Sequence, residues 1–319
     1  QGYSSAASDV YKRQIYKNVR ICYLLPYLVV FSVLNKSQNK VKAKRTDKSQ
    51  HIISQISFDS TTIPLWLSVF WWAKFRKKKG GVKAHVLYDL ESQVPAFFHV
   101  STASVYDSKA MNEIHYESGS YYVFDRGYNA FKELFKIHLH ESFFVVRAKK
   151  NLQCKCCKWR RRLPKNILTD AEIEFTEYNS YRKYPERLRL VKFYDEEQDR
   201  EFAFLTNAFH LTALEIANLY KNRWQIELFF KWLKQHLKIK KFWGTTENAV
   251  RIQISSAIIA YFLVAIVQHD LQLKRSTYEV LQILSISLMD KTALVDLFER
   301  TDFNNVKELD CPLFPGLFD

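Results

Sequence analysis

The chain has 319 residues, 47% hydrophobic and 25% charged, a balance that excludes a disordered polyelectrolyte and allows a full core or two structural units. Lysine and arginine outnumber aspartate and glutamate by 48 to 33, and the resulting +15 points to a polyanion: nucleic acid first, an anionic membrane surface as the rival. Five cysteines, an odd number, exclude a secreted disulfide framework.

In chain order, residues 1–14 (QGYSSAASDVYKRQ) resemble translated cloning or adapter sequence and are set aside, with 15–50 read as the remnant of an N-terminal region. The apolar run from Ile21 to Leu34 is interrupted by Pro26 and lacks a small-residue cleavage site, which argues against a signal peptide. "HIISQISFDST" predicts a strand ending at Asp59. "GGVKAHVLYDL" predicts a second, entered through a Gly80-Gly81 turn, with Val82, Ala84, Val86 and Tyr88 on one face. "VPAFFHVST" is the third strand, Asp107 to His115 a short helix, and "SYYVFDRGY" a fourth strand ending at Asp125. A helix over "NAFKELFKIHLH" and a fifth strand, "SFFVVRAKK", complete an α/β core of mixed pairing over 51–150.

Residues 151–206 read as a β-rich insertion with runs such as "RLRLVKFY" and "REFAFLT". Cys154, Cys156 and Cys157 lack zinc-ligand spacing and read as reduced cytoplasmic thiols. Segment 207–247 carries a helix from about Leu211 to Leu237, and 248–319 is a helical region containing a helix from Ala249 to Gln268. Within that second helix, Ile252 to Val267 is uncharged. It is shorter than the ~20 residues of a membrane span and contains Ser255 and Ser256, so a buried core helix is expected. The terminal "LDCPLFPGLFD" reads as irregular.

Asp59 and Asp125 both fall where an apolar strand ends, the place where sites gather in open α/β sheets. Glu227 follows on a helix, and three carboxylates can together hold hard divalent cations. At ~100° per residue, Tyr220, Arg223, Glu227 and Lys234 lie within about 60° of one another, beside an apolar stripe of Ile226, Phe229, Phe230 and Leu233. Each feature also has an ordinary reading. A strand-end aspartate caps turns, Glu227 with Lys231 is a surface i,i+4 pair, and the run "KFRKKKGG" is a solvated face.

Taken together, "FDSTTI" (58–63), "FRKKKGGVKAH" (75–85), "FDRGY" (124–128) and "YKNRWQIELFFKWLK" (220–234) resemble the DDE transposases of the insertion-sequence IS4 family. Tyr220, Arg223, Glu227 and Lys234 reproduce that family's spacing of Tyr, two residues, Arg, three residues, Glu, six residues, Lys. The resemblance covers about residues 51–268. It implies an RNase H-like mixed five-stranded sheet with flanking helices, interrupted by the β-rich insertion before the Glu-bearing helix. It further implies that Asp59, Asp125 and Glu227 are the catalytic residues and the ligands of two Mg²⁺ ions, for which Mn²⁺ can substitute. The implied reaction is metal-dependent hydrolytic cleavage at transposon ends, leaving a 3′-hydroxyl, followed by strand transfer to target DNA without a covalent protein–DNA intermediate.

On the same resemblance Tyr220, Arg223 and Lys234 grip the DNA end, with Arg126 as a further contact. Lys74, Arg76, Lys77, Lys78 and Lys79 track the DNA backbone. Relatives stack a flipped base on an aromatic of the insertion, for which Trp159, Tyr178, Tyr181 and Tyr184 are the candidates. Implied partners are the inverted-repeat ends, target DNA and a second copy of the chain in the synaptic complex. The expected location is the bacterial cytoplasm, at the nucleoid, with no membrane. Two departures stand out: Tyr106 precedes Asp107 where relatives often have His, so that pair is given no catalytic role, and the region before the core is short for recognising ends. Two other readings remain: another RNase H-like nuclease, and a truncated DNA-binding relic that does not transpose.

Overall fold

In the computed structural model the residues described are 54–300, apart from 78, 238, 240 and 288–291. The adapter-like segment, the 15–50 remnant, Lys78 and the irregular tail lie outside them. The chain divides into two units, 54–232 with 242–251, and 233–241 with 252–300.

Strand β1 (Gln55–Leu65) does not end at Asp59. It runs six residues further, because Thr61, Ile63 and Leu65 turn inward while Thr62 and Pro64 face out, so the two-residue period of a half-buried strand continues. After the short β2 (Lys74–Arg76), β3 (Lys79–Asp89) contains Gly80 and Gly81 inside the strand, opposite Leu65 and Pro64, and not in its entry turn. A Cβ at Gly80 would stand 2.9 Å from the Leu65 carbonyl oxygen, so the glycine serves close backbone approach. The expected one-sided alternation of β3, which pairs with β1 and β4 (Val94–Thr102), also differs: His85 and Leu87 are buried as well, because that face packs too, Leu87 in the core with Phe58 and His85 on Ser101, while Tyr88 on the other face packs on Phe229.

Helix α1 (Asp107–Ala110) with a following 3₁₀ turn, β5 (Tyr121–Phe124), α2 (Phe131–Leu139) and β6 (Phe143–Arg147) follow in the expected order. β1, β5 and β6 pair parallel, while β1–β3 and β3–β4 pair antiparallel. The insertion comprises β7 (Cys154–Trp159), β8 (Ile167–Phe175), α3 (Tyr178–Lys183), β9 (Leu188–Asp195) and β10 (Arg200–Thr206). It extends the sheet, for β10 pairs antiparallel with β6 (Leu205 opposite Val146). The expected five strands are therefore part of a mixed, mostly antiparallel sheet of ten, ordered β2-β3-β1-β5-β6-β10-β9-β8-β7 with β4 also on β3.

Both faces of the central strands are covered, which is why Tyr121, Tyr122, Val123 and Phe124 are all buried. Phe58, Tyr122, Phe124, Phe144 and Val146 form one core with Leu134 and Ile137 of α2. Tyr121, Val123, Val145 and Phe204 form another with Ile216 and Leu219 of α4 (Ala213–Asn222). Each fully buried aromatic of this kind contributes about 2–3 kcal/mol of transfer free energy. Helix α4 starts where Thr212 and Glu215 close a capping box.

The single helix expected from Leu211 to Leu237 is two, α4 and α5 (Trp224–His236), separated at Arg223. Shorter-range bonds tighten the backbone there, from Arg223 N–H to Tyr220 carbonyl (3.1 Å) and from Ile226 N–H to Arg223 carbonyl (3.2 Å).

In the second unit, Val264 of α6 (Glu247–Asp270) packs with Val280 and Ile283 of α7 (Thr277–Ile286) and with Phe298 of α8 (Leu294–Arg300). The 24 residues of α6 are long and apolar enough to cross a membrane by length and composition. It is less buried than the expected core helix: 39% of its apolar window is covered, and Ile252 and Leu263 are exposed.

Candidate active site

Parallel register builds the site. Phe58 of β1 stands opposite Phe124 of β5, and Phe124 opposite Val146 of β6. The next residue on each strand is therefore Asp59, Asp125 and Arg147, three side chains at one level across three adjacent strands. Asp59 stays in the β1–β3 ladder opposite Val86, and the Ser60 backbone N–H donates to its Oδ1 at 2.8 Å. Asp125 leaves its strand and precedes a 3₁₀ turn, Arg126–Tyr128.

Helices α4 and α5 bring the remaining groups. The Tyr220 ring packs on Phe204, centroids 4.7 Å apart, and its hydroxyl donates to Asp125 Oδ1 at 2.9 Å. Arg223 donates through Nη1 to Asp59 Oδ2 at 2.6 Å and through Nη2 to Glu227 Oε1 at 2.5 Å, so one guanidinium links the first and third carboxylates. It also lies over the Tyr220 ring. On the other side of Asp125, the Arg147 Nη1 is 3.9 Å from Oδ1, and its guanidinium lies over Phe202. Asp125, Arg147, Phe202, Tyr220, Arg223 and Glu227 line one cavity of about 750 Å³.

Electrostatics separates the acids. Burial pushes Asp59 up from an ordinary 3.8 to about 6; Arg223 and the Ser60 N–H pull it down, while Asp125 and Glu227 push it up again. At Asp125 burial acts in the same sense, but the Arg126 N–H, the Tyr220 hydroxyl, Arg223 and Arg147 outweigh it and the pKa is lowered. Burial pushes the Tyr220 phenol up to about 12, so it is a donor at neutral pH. For Arg223 burial works against the charge, yet Tyr220, Asp59 and Glu227 hold its pKa above the usual arginine value.

The acids and Arg223 are thus drawn together, as are Tyr220 and Asp125. Among the described residues no three His, Cys, Asp or Glu side chains converge as a metal-holding group. Asp59 and Glu227 are instead held on the Arg223 guanidinium, and Asp125 on the Tyr220 hydroxyl. Arg126 donates through Nε to the Ala148 carbonyl at 3.1 Å, which leaves its two Nη groups for other partners. Lys74 and Arg76 lie exposed on the edge strand β2, with Lys77 and Lys79 exposed beside them. Lys234 is on α5, two turns past Glu227 and beyond the boundary of the unit that holds the acids. Trp159, Tyr178 and Tyr181 are exposed, whereas Tyr184 is fully buried with its hydroxyl 2.8 Å from His138 Nδ1, a packing residue and not a stacking platform. Cys154, Cys156 and Cys157 are free thiols.

Two groups escaped the sequence reading. Arg147 was legible in principle, since parallel pairing of "YYVF" with "FFVV" places it beside Asp125. Asp107, set aside beside Tyr106, accepts from the Ser60 hydroxyl at 2.8 Å and from Lys83 Nζ at 3.0 Å, and so supports the residue that holds Asp59. Nothing in its local spacing signals that contact, which spans 47 residues.

A family model described as "Transposase DDE domain" matches residues 50–263. A protein of Sinorhizobium fredii named as a transposase is 36% identical over 76% of this chain and 67% of its own length. The probable transposase of insertion sequence element IS5377 from Geobacillus stearothermophilus is 33% identical over 64% of this chain. One for element IS4SA from Synechocystis is 26% identical over 83%. The chain spans 54% of the Geobacillus protein and 75% of the Synechocystis one. A solved piggyBac transposase synaptic complex with hairpin DNA aligns at a TM-score of 0.45 and 10% identity, over 82% of this chain and 55% of that one.

Proposed function

The chain belongs to the DDE transposase family, and from that premise we propose that it cuts DNA at transposon ends and joins the freed ends to target DNA. The observation that carries this is the register that sets Asp59 and Asp125 side by side on β1 and β5, with Glu227 joined to Asp59 through Arg223. The order β4-β3-β1-β5-β6, antiparallel through β1 and parallel beyond it, supports an RNase H-like core within the larger sheet.

The family uses divalent metal ions, and the donor chemistry here suits them. Asp59, Asp125 and Glu227 offer hard oxygens, and burial, which raises Asp59 to about 6, leaves there a costly charge that a cation would stabilise. Asp59, Asp125 and Glu227 would hold two Mg²⁺ or Mn²⁺ ions, whose chemistry is to neutralise the phosphate and acidify water. The rest falls to the chain's own groups. Tyr220 fixes Asp125 by its hydrogen bond and stays protonated while doing so. Arg223 and Arg147 offer guanidinium N–H groups to phosphate oxygens on either side of Asp125, the planar fork suited to that ligand. In cleavage a water oxygen bonds to phosphorus as the bond to the 3′-oxygen breaks, the released 3′-oxygen taking a proton to become a hydroxyl; in transfer that hydroxyl oxygen loses its proton and bonds to a target phosphorus as the target's own P–O3′ bond breaks, freeing a target 3′-hydroxyl.

Lys234 extends the grip along α5, and the exposed Lys74, Arg76, Lys77 and Lys79 add sequence-independent affinity; Lys78 belongs with them by sequence. Trp159, Tyr178 or Tyr181 is the stacking platform for a flipped base. We place the reaction in the bacterial cytoplasm, in a homodimer assembled on paired ends. Nicking of supercoiled plasmid with Mg²⁺, Mn²⁺ or EDTA tests the reading: cleavage should require the metal and disappear in Asp125→Asn and Glu227→Gln. Metal-independent nicking, or nicking that survives both substitutions, would overturn it.

A further inference from the structure

Strand transfer brings two DNA segments to one set of carboxylates, and Tyr220 and Arg223, which grip the transposon end, line a cavity on one side of the sheet. Tyr220 and the cavity it lines are on the α4 face, packed over Val123 and Val145. A second cavity of about 410 Å³ opens by the α2 face, the side on which Phe124, Phe144 and Val146 pack. Lys109, Lys132, Lys149 and Lys183 line it, all four exposed and none in an ion pair among the described residues.

The two acids in its wall are already engaged. Glu133 takes Lys136 at 2.8 Å, and Glu177 accepts from the Ser180 hydroxyl at 2.6 Å. Glu133 is thus neutralised by its own lysine while Glu177 keeps its charge, so the wall holds four cations against one uncompensated carboxylate, a net positive surface for an external anion. Helix α2 opens into the same cavity through Ala130, Phe131 and Lys132, with no side chain capping its first turn, so backbone N–H groups add to the positive end. Asn129 is also in the wall, its amide N–H groups already given to backbone carbonyls.

Chain connectivity ties this cavity to the reacting edge. Asn129 closes the turn that begins at Asp125, donating to the carbonyls of Arg126 and Arg147 at 2.8 and 2.7 Å. Lys109 is two residues beyond Asp107, which takes the hydroxyl of Ser60. The second cavity is thus linked to Asp125 through this turn, while the first is lined by Asp125 itself.

We infer that the lysine-lined cavity holds the sugar–phosphate backbone of a second DNA segment, the one not gripped by Tyr220 and Arg223. This rests on the transposase reading above. The contact is to backbone, so it supplies affinity without sequence choice.

The test is fluorescence anisotropy of a short labelled duplex lacking transposon ends, titrated at several salt concentrations. Wild type is compared with the triple variant Lys132→Gln, Lys149→Gln, Lys183→Gln and with the control Lys158→Gln, Arg161→Gln, Arg162→Gln, which removes equal charge elsewhere on the insertion. Each lost phosphate contact lowers the slope of log K against log salt by about 0.9, so the cavity triple should lose about 2.7 and bind at least about tenfold more weakly than the control. Single Lys132→Gln and Lys183→Gln variants, each expected to lose about 0.9, carry the test if the triple unfolds. A slope equal to wild type, or equal losses in both triples, overturns the inference. Failure of the transposase reading would appear separately, as wild type that binds this duplex yet nicks no plasmid with Mg²⁺.

Discussion

Replacing Asp59 by Asn should stabilise the metal-free protein at neutral and alkaline pH while abolishing cleavage. Asp59 is 18% exposed at its side chain, and its pKa of about 6 already includes the attraction of Arg223. Between an ordinary 3.8 and about 6 the folded state binds a proton that the unfolded state does not, so stability falls as pH rises through that window. A gap of about two pH units corresponds to about 3 kcal/mol, fully in force above pH ~6.5 and absent below pH ~3.8. Asn keeps the shape without the charge, and imperfect hydrogen bonding to Arg223 reduces the expected gain to about 1–3 kcal/mol. Urea unfolding of wild type and Asp59→Asn in EDTA, from pH 4 to 8, should give curves that coincide at the acid end and separate upward for the variant. A variant less stable at pH 8, or a difference that does not change with pH, would refute the assignment of a costly buried charge at this position.

Two further substitutions probe the surroundings. Tyr220→Phe removes the 2.9 Å bond to Asp125 but keeps the ring on Phe204; it should cost about 1–2 kcal/mol of stability, and nicking rate should fall at least about tenfold with plasmid binding retained, measured by single-turnover cleavage. Arg189→Leu strands the buried Asp170 that it holds with two 2.7 Å bonds and releases the carbonyls of Ala208 and Leu211, so chemical denaturation should show a loss of about 3–5 kcal/mol.

How much of this was legible varied with the range of the interaction. The helix face bearing Tyr220, Arg223 and Glu227 is a local property and was readable from spacing, although the break at Arg223 was not, because its side chain is drawn to Asp59 from 164 residues away. The strands around Asp59 and Asp125 were readable from alternation, but the end of β1 was misplaced since Thr61, a polar residue, continues the buried face. The joining of the insertion to the core is a pairing of Phe204–Thr206 with Val145–Arg147, nearly 60 residues apart, and nothing local distinguishes it from a separate sheet. Tyr184 looked like its exposed neighbours Tyr178 and Tyr181 by composition; it is buried because Phe135, Phe144 and Phe175 surround it.

The three acids are not equally fixed, and this bears on how the site assembles. Asp59 and Asp125 stand on strands paired to each other, and Asp59 is further held through the β3 ladder and the Ser60 N–H. Glu227 is 57% exposed, on a helix that packs on the sheet through Phe229 against Tyr88 and is tied to Asp59 by Arg223. Of the three carboxylates, the Glu227 side chain therefore has the most room to change rotamer when Arg223 changes partner. A phosphate that draws the guanidinium away from the carboxylates would leave Asp59 and Glu227 both wanting positive charge at the same moment. On the proposed reading, DNA bound at Arg223 and a cation bound at Asp59 and Glu227 would favour each other, with the paired aspartates as the fixed template and the Glu227 side chain as the adjustable ligand.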